Sequence, residues 1–353
     1  MNEEITLVGM DLGSYKTSIA CSNGRRDMIP TALGWPKDHV AQAKIGSNIV
    51  FGKEIRRRRL ILDIVRPFEH GFLKYNPVEQ EGDDSEDLAR RREAARLIVT
   101  HAVSLVAPDP DTPIYGVVGT PSRASLANKQ TIMHAARAAF DAVAVIPEPF
   151  AIACSMSEID EALIVDIGAG TIDICPILGR YPCEDEQVTI GQGGDSIDER
   201  LQELLIDLGA VLPREMVRDI KEKYGFAGQA PEPVVVELFT EDEPQNFNLT
   251  ETLPAACEII IKPIVDGIRT VLSKVDPEFR GLLRRNILLG GGGSQLRGLD
   301  RELERSLEPS GGNVRKVYDS AFAGAVGALK IAQLMPVEKW EHLKSLGELE
   351  AAA

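Results

Sequence analysis

The chain has 353 residues, with 39 Lys plus Arg against 54 Asp plus Glu, giving a formal net charge of −15. That length allows one large domain or two ordinary ones, and 44% hydrophobic with 26% charged residues is a globular composition. The negative field excludes a basic nucleic-acid binder, and five Cys in so long a chain exclude a scaffold built on disulfides.

The opening MNEEITLVGM has no basic segment, and no run of about 18 apolar residues occurs anywhere, so the sequence predicts neither a signal peptide nor a membrane span, and a cytoplasmic protein. Ile5–Met10 predicts a strand, Asp11-Leu-Gly13-Ser14 a turn, and Lys16–Ser22 the returning strand. From Pro30 to Pro77 turn signals mix with the run Arg56–Arg59, which reads either as a solvated patch or as a contact for an acidic neighbour. The charged stretch Glu81–Glu93 leads into a helix through Leu97, Ile98 and Val106. Strands are predicted over Tyr115–Thr120 and Val143–Pro147, with a helix over Ser125–Phe140 between them.

A second hairpin follows, Ala162–Ile167 and Thr171–Leu178, joined by Gly168-Ala169-Gly170. Ser196-Ile197-Asp198-Glu199 reads as a capping box for a helix with Ile197, Leu201, Leu204, Leu205 and Leu208 on one face. Then come a strand at Val234–Phe239, a polar turn at Glu241–Asn246, a helix over Leu253–Ser273 and a strand at Asn286–Leu289. After Gly290–Gly293 a helix follows, and a last helix starts near Ala321. No short period recurs, but two similar halves are visible, each opening with a strand–turn–strand that carries an Asp and a Gly.

Three glycine turns carry the chemistry: Asp11–Thr17, Asp166–Asp173 and Gly290–Ser294. Glycine accepts positive φ and lets backbone N–H groups approach an anion closely, so opposed turns of this kind would grip a polyphosphate. Asp11 and Asp166, at strand ends, are of the type that holds Mg²⁺ through water. Each turn alone is ordinary; it is their order and their place after strands that carries weight. The standard P-loop is absent, since the only Gly-Lys, Gly52-Lys53, precedes Glu54. Cys21, Cys154, Cys175, Cys183 and Cys257 form no C-x-x-C pair and read as buried small hydrophobes, and the five His form no metal or catalytic cluster.

These motifs resemble the two phosphate motifs and the adenosine motif of the actin-like ATPase superfamily: Asp11-x-Gly13, Asp166-x-Gly-x-Gly-Thr-x-Asp173 and Gly291-Gly-Gly-Ser294. The likeness covers nearly the whole chain. Val217–Lys223 resembles the nucleoside-contacting helix of actin. Among bacterial actins the chain is similar to the magnetosome-organising filament proteins, through Pro121-x-Arg-Ala-Ser125 with Asn128-Lys129, Val165–Thr171 ending in Asp173-Ile-Cys175, Asp198–Gln202, and Arg297-Gly-Leu299. One departure is Ser14, where Thr is usual; the hydroxyl is kept.

The resemblance implies an α/β actin-like ATPase fold of two lobes. Each would have an RNase H-like core and a small inserted subdomain, with nucleotide in the cleft between them. Lobe I would be 1–165 with 325–353, its insertion at about 31–77; lobe II would be 166–324, its insertion at about 198–255. It implies that Gly13, Ser14, Tyr15 and Lys16 line one side of the phosphates, and Gly168, Ala169, Gly170 and Thr171 the other. Asp11 and Asp166 would orient Mg²⁺, and Glu148, between two prolines, would position the attacking water. Lys221 and Glu222 would contact the nucleoside, and Gly291, Gly292 and Ser294 the adenosine. Glu148 has a second reading as a helix cap, and Lys221 with Glu222 as a solvated face. The function implied is a cytoskeletal ATPase that polymerises with ATP, disassembles on hydrolysis to ADP, and positions magnetosome organelles. Its partners would be its own copies and an adaptor at the organelle membrane, with no nucleic acid and no direct membrane insertion. The alternatives are an MreB-like or plasmid-segregating bacterial actin, and a small-molecule kinase of the same superfamily.

Overall fold

The computed structural model describes residues 5–68, 86–107, 109, 111–230, 232–240 and 243–351. The chain forms two units, Met1–Glu158 with Ala321–Ala353, and Ile159–Ser320. The division precedes the strand at 162–167 rather than following residue 165, because that strand pairs only within the second unit.

In the first unit β1 (Thr6–Leu12), β2 (Lys16–Cys21) and β3 (Arg26–Pro30) form an antiparallel meander. A small sheet follows, made of β4 (Leu33–Pro36), β5 (Val50–Phe51) and β6 (Leu62–Val65), with α1 (His39–Ile45) and α2 (Glu54–Arg57) between its strands. It has its own core of Ala32, Val50, Ile55 and Leu62. Then come α3 (Glu86–Val106), β7 (Ile114–Thr120), α4 (Leu126–Ala136), β8 (Ala142–Pro147) and α5 (Glu148–Met156). The main sheet runs β3-β2-β1-β7-β8, with β7 parallel to both β1 and β8. Ser125 caps α4 by accepting from the Asn128 amide at 3.1 Å, which fixes the start of that helix where the sequence places it.

The second unit repeats the plan. It comprises β9 (Ala162–Ile167), β10 (Ile172–Ile177), β11 (Val188–Ile190), α6 (Gly194–Asp207), α7 (Arg214–Tyr224), β12 (Val235–Thr240), β13 (Glu243–Asn248), α8 (Thr252–Cys257), α9 (Ile261–Lys274), α10 (Pro277–Arg285), β14 (Ile287–Gly290), α11 (Leu299–Ser306) and β15 (Val314–Lys316). Its sheet, β11-β10-β9-β14-β15, has the same pattern of antiparallel hairpins followed by two parallel strands. Every residue of β9 and β10 is buried, as expected of central strands covered on both faces. The chain then returns to the first unit as α12 (Ser320–Leu334) and α13 (Val337–Ala351). There Ala328, Ala332 and Trp340 cover the face of the first sheet that presents Tyr115, Val117 and Ile146, opposite the face packed by α3. No single helix among the described residues is long and apolar enough to cross a membrane.

Several local expectations change. The helix at 196 begins earlier, at Gly194, and its N-cap is Gly193 with no side-chain bond, so Ser196 caps nothing; hydrogen bonds described below fasten its first turn instead. Leu208 is 47% exposed, just past the end of the face that Ile197, Leu201 and Leu205 bury. The polar stretch 243–248 is a strand, antiparallel to β12 through pairs such as Val236↔Phe247; most of it is exposed, so its polar residues look like a turn. Residues 241–242 of the expected turn, 81–85 of the charged stretch and 69–77 of the expected insertion lie outside the described residues. The helix over 253–273 is interrupted by a 3₁₀ turn at Glu258–Ile260, and the last helix breaks before Val337. Cys21, Cys175 and Cys257 are buried, Cys154 is half-buried, and Cys183 is exposed, accepting from Arg180 at 3.0 Å.

Candidate functional site

In the first unit, Asp11 lies on β1 rather than in the turn, paired with Ser18 of β2 and Gly119 of β7. Glycines approach closely here, Gly324 to Asp11 and Gly119 to Glu148. A Cβ on Gly324 of α12 would sit 2.7 Å from Asp11 Oδ2. A Cβ on Gly119 would sit 2.9 Å from Cγ of Glu148. Glu148 is buried at the first position of α5 after Pro147, so Asp11 and Glu148 flank the same residue of β7. The placement of Glu148 at a helix N-terminus agrees with the capping reading as far as position goes.

The turn after β1 tightens at Gly13, where a Cβ would meet the Lys16 carbonyl at 2.4 Å. Thr31 anchors the turn from behind: its hydroxyl donates to the Gly13 carbonyl at 2.8 Å and its amide donates to the Tyr15 carbonyl at 2.8 Å. Ser14 and Tyr15 are half-buried and Lys16 is exposed. The Tyr15 ring faces the Lys16 ammonium at 5.7 Å and the Arg66 guanidinium at 5.4 Å.

The second unit carries the counterpart. Asp166 on β9 pairs with Asp173 on β10 and Gly290 on β14. Asp173 is buried and held by Thr189 at 2.5 Å and by Thr171 at 3.1 Å, so it fixes the Thr171 hydroxyl. The Gly168–Thr171 turn closes through the Gly168 amide on the Thr171 carbonyl at 2.9 Å. Gly291, at φ 72°, crosses over Asp166; a Cβ there would lie 2.4 Å from Oδ1. Gly292 faces open space, so its backbone is approachable. Ser294 is fully buried and its hydroxyl donates to the Gly291 carbonyl at 2.7 Å, which gives it the task of shaping the loop.

Lys221 does not reach freely into solvent. Its ammonium lies 2.7 Å from the Gly194 carbonyl and 2.6 Å from Asp198 Oδ1, while Glu222 beside it is exposed. Around it is a buried ion cluster that sequence reading missed: Arg218 donates through Nε to Asp198 at 2.8 Å and through Nη2 to Asp195. Burial holds the Asp195 carboxyl above the usual carboxylate range despite Arg218 and Arg214. The i, i+3 spacing of Asp195 with Asp198 and of Arg218 with Lys221 was the available signal.

Within each unit the structure brings together the residues expected to act together: Asp11, Glu148 and the 13–16 turn in one, Asp166, the 168–171 turn and the 291–294 loop in the other. In each unit, a strand-end carboxylate beside a glycine turn is of the kind that suits a phosphate group and a hard divalent cation.

Comparison with known proteins fits this geometry. The family model described as MreB/Mbl protein matches residues 97–335. Over 339 residues the chain is 34% identical to the Actin-like protein MamK of Paramagnetospirillum magneticum (strain AMB-1), covering 95% of this chain and 94% of that protein. It is 32% identical to the Actin-like protein MamK of Magnetospirillum gryphiswaldense (strain MSR-1), covering 95% and 91%. Among solved structures it matches a MamK double helical filament at 33% identity with a TM-score of 0.87, covering 94% of this chain and 100% of the other. A non-polymerising MamK mutant bound to AMPPNP matches at 33% identity with a TM-score of 0.70, covering 94% and 99%. With the repeated sheet plan, the two Asp–Gly turns and relatives above 30% identity along nearly its full length, the chain belongs to the MreB/Mbl family of actin-like proteins.

Proposed function

We propose that this protein is a cytoskeletal ATPase that assembles with ATP into filaments of its own copies, disassembles after hydrolysis to ADP, and positions magnetosomes in the cytoplasm through an adaptor at the organelle membrane. The observation that carries the reading is the matched pair of Asp–Gly turns on two sheets of identical plan, in a chain that aligns with a filament-forming MamK over 94% of its length.

In this reading the 13–16 turn (Gly13, Ser14, Tyr15, Lys16) and the 168–171 turn (Gly168, Ala169, Gly170, Thr171) bind the phosphates. Gly291 and Gly292 offer backbone to the adenosine, with Ser294 holding their loop in shape. Lys221 and Glu222 border the nucleoside, Lys221 only if it leaves part of its present pairing. Asp11 and Asp166, each a strand carboxylate closely approached by a glycine, are of the type that would hold Mg²⁺ through its waters, and the ion when bound would neutralise phosphate charge. Asp11 and Asp166 hold that ion's waters. Glu148 accepts a hydrogen bond from the attacking water and keeps it in line. Phosphoryl transfer needs this placement and charge balance more than covalent chemistry.

The test is Glu148→Ala, assayed by phosphate release and by pelleting with ATP. The variant should bind ATP and assemble, turn over at least tenfold more slowly, and form filaments that persist. Normal hydrolysis in a folded variant would move the role to another carboxylate; loss of nucleotide binding would leave Glu148 a structural part of α5.

A further inference from the structure

The 168–171 turn, closed by its own Gly168–Thr171 bond, is also held from outside. Its carbonyls are tied to the start of α6: the Gly194 amide donates to Gly168 O at 3.0 Å and the Asp195 amide to Ala169 O at 2.8 Å. The approach is so close that a Cβ on Gly193 would lie 2.6 Å from Ala169 O. The first turn of α6 is in turn gripped by α7. Arg218 spans Asp195 and Asp198, and Lys221, one helical turn along, spans Asp198 and the Gly194 carbonyl.

The C-terminal end of α7 is tied to the other glycine loop. Arg297, three residues beyond Ser294, donates to the Tyr224 carbonyl at 2.7 Å and the Gly225 carbonyl at 3.3 Å, and the Ala227 amide returns a bond to Arg297 O at 2.8 Å. A Cβ on Gly225 would meet the Leu296 side chain at 3.2 Å. Helix α7 is therefore a strut inside the second unit. Its middle, through Arg218 and Lys221, grips the start of α6 that holds the 168–171 turn, and its C-terminal end is tied to the 291–297 loop.

We propose that Arg218 is a positioning residue for nucleotide binding, acting through Asp195, Asp198 and the α6 amides to hold the 168–171 turn in its binding geometry. Arg218 is 6% exposed and pairs with Asp195 and Asp198 on the helix whose first amides bond the turn, so its effect on a phosphate is carried through that backbone. The guanidinium suits the task because its rigid fork satisfies two carboxylates at once; an ammonium keeps the charge but has no such fork. A buried pair of this kind is little screened by salt. The inference rests on the nucleotide reading given above.

The experiment compares the full chain with Arg218→Lys and Arg218→Gln. Affinity for a fluorescent ATP analogue with Mg²⁺ is measured well below each thermal midpoint, alongside amide hydrogen exchange. Arg218→Lys, which keeps the buried charge balanced, should fold, bind the analogue about tenfold more weakly, and exchange the Gly194 and Asp195 amides at least tenfold faster. The β9 amides should be unchanged. Arg218→Gln should be weaker still, so that lysine gives partial rescue; should it fail to fold, the lysine variant alone decides. Affinity within twofold of the parent in a folded Arg218→Lys, or faster exchange across the whole unit instead of at 194–195, overturns the proposal. If the parent chain itself fails to bind the analogue, it is the nucleotide reading that falls.

Discussion

Replacing Gly324 by Ala separates stability from chemistry. In the interior of a helix this exchange ordinarily stabilises by about 0.5–1 kcal/mol, because alanine loses less backbone freedom. Here the new methyl would lie 2.7 Å from Asp11 Oδ2 and 3.0 Å from its Cβ and Cγ. A comfortable carbon–oxygen contact is near 3.4 Å, so the carboxylate must retreat by roughly 0.7 Å. A misplacement of about 1 Å in a catalytic constellation costs on the order of 10²-fold, so Gly324→Ala should lower Mg²⁺-dependent ATP turnover by about tenfold or more, about 1.4 kcal/mol of barrier. Its thermal midpoint should change little, the helix gain offsetting the contact. Gly347→Ala in α13, where a Cβ meets nothing within 4 Å, reports the helix gain alone. Turnover and thermal melting of the three proteins decide the matter. Parental turnover in Gly324→Ala would show that Asp11 has no tight positional duty.

Asp166→Ala should reduce Mg²⁺-dependent turnover at least tenfold in a protein that still folds; unchanged turnover removes Asp166 from the site. Assembly at fixed ATP should improve from very low to moderate ionic strength, because each copy carries −15 and the Debye length shrinks from about 30 Å at 0.01 M to about 8 Å at 0.15 M. A critical concentration that rises steadily from the lowest salt upward would mean that complementary charges dominate instead. His101, stacked on Phe51 at 4.1 Å, is held below the ordinary imidazole value by burial. The unfolded chain therefore takes up that proton first, and the His101 contribution to stability is present above about pH 6.5 and lost as pH falls toward the lower folded value. Subtracting the pH profile of unfolding for His101→Phe from that of the parent should reveal this slope; parallel profiles would contradict it.

The hairpins and the three glycine turns were legible because local signals coincide there: β-branched runs, then turn residues, then β-branched runs again. The N-cap of α4 was legible for the same reason, Ser125 immediately preceding the helical pattern. Ser196 shows the limit. Its capping box is a sound local motif, yet tertiary hydrogen bonds from Gly194 and Asp195 to the 168–169 carbonyls draw those residues into the helix and leave Ser196 inside it. Asp11 reads as turn chemistry by composition, whereas pairing with Ser18 and Gly119 holds it in the strand. Gly119 and Gly324 had no sequence signal at all, since their meaning lies in contacts with Glu148 and Asp11, far off in the chain. Lys221 was singled out by resemblance, but its pairing with Asp198 depends on how two helices pack.

The return of α12 to the first unit has a consequence for synthesis. The second unit is one uninterrupted segment and can close while later residues are still being made. The first cannot, because β1 fits against α12 so tightly that a Cβ on Gly9 would lie 2.2 Å from Ala325 O. Until residues 321–334 emerge from the ribosome, the face bearing Tyr115, Val117 and Ile146 lacks its cover and Asp11 lacks the wall made by Gly324. A nascent chain short of residue 324 therefore has Asp11 in a strand whose packing against α12 is still unmade.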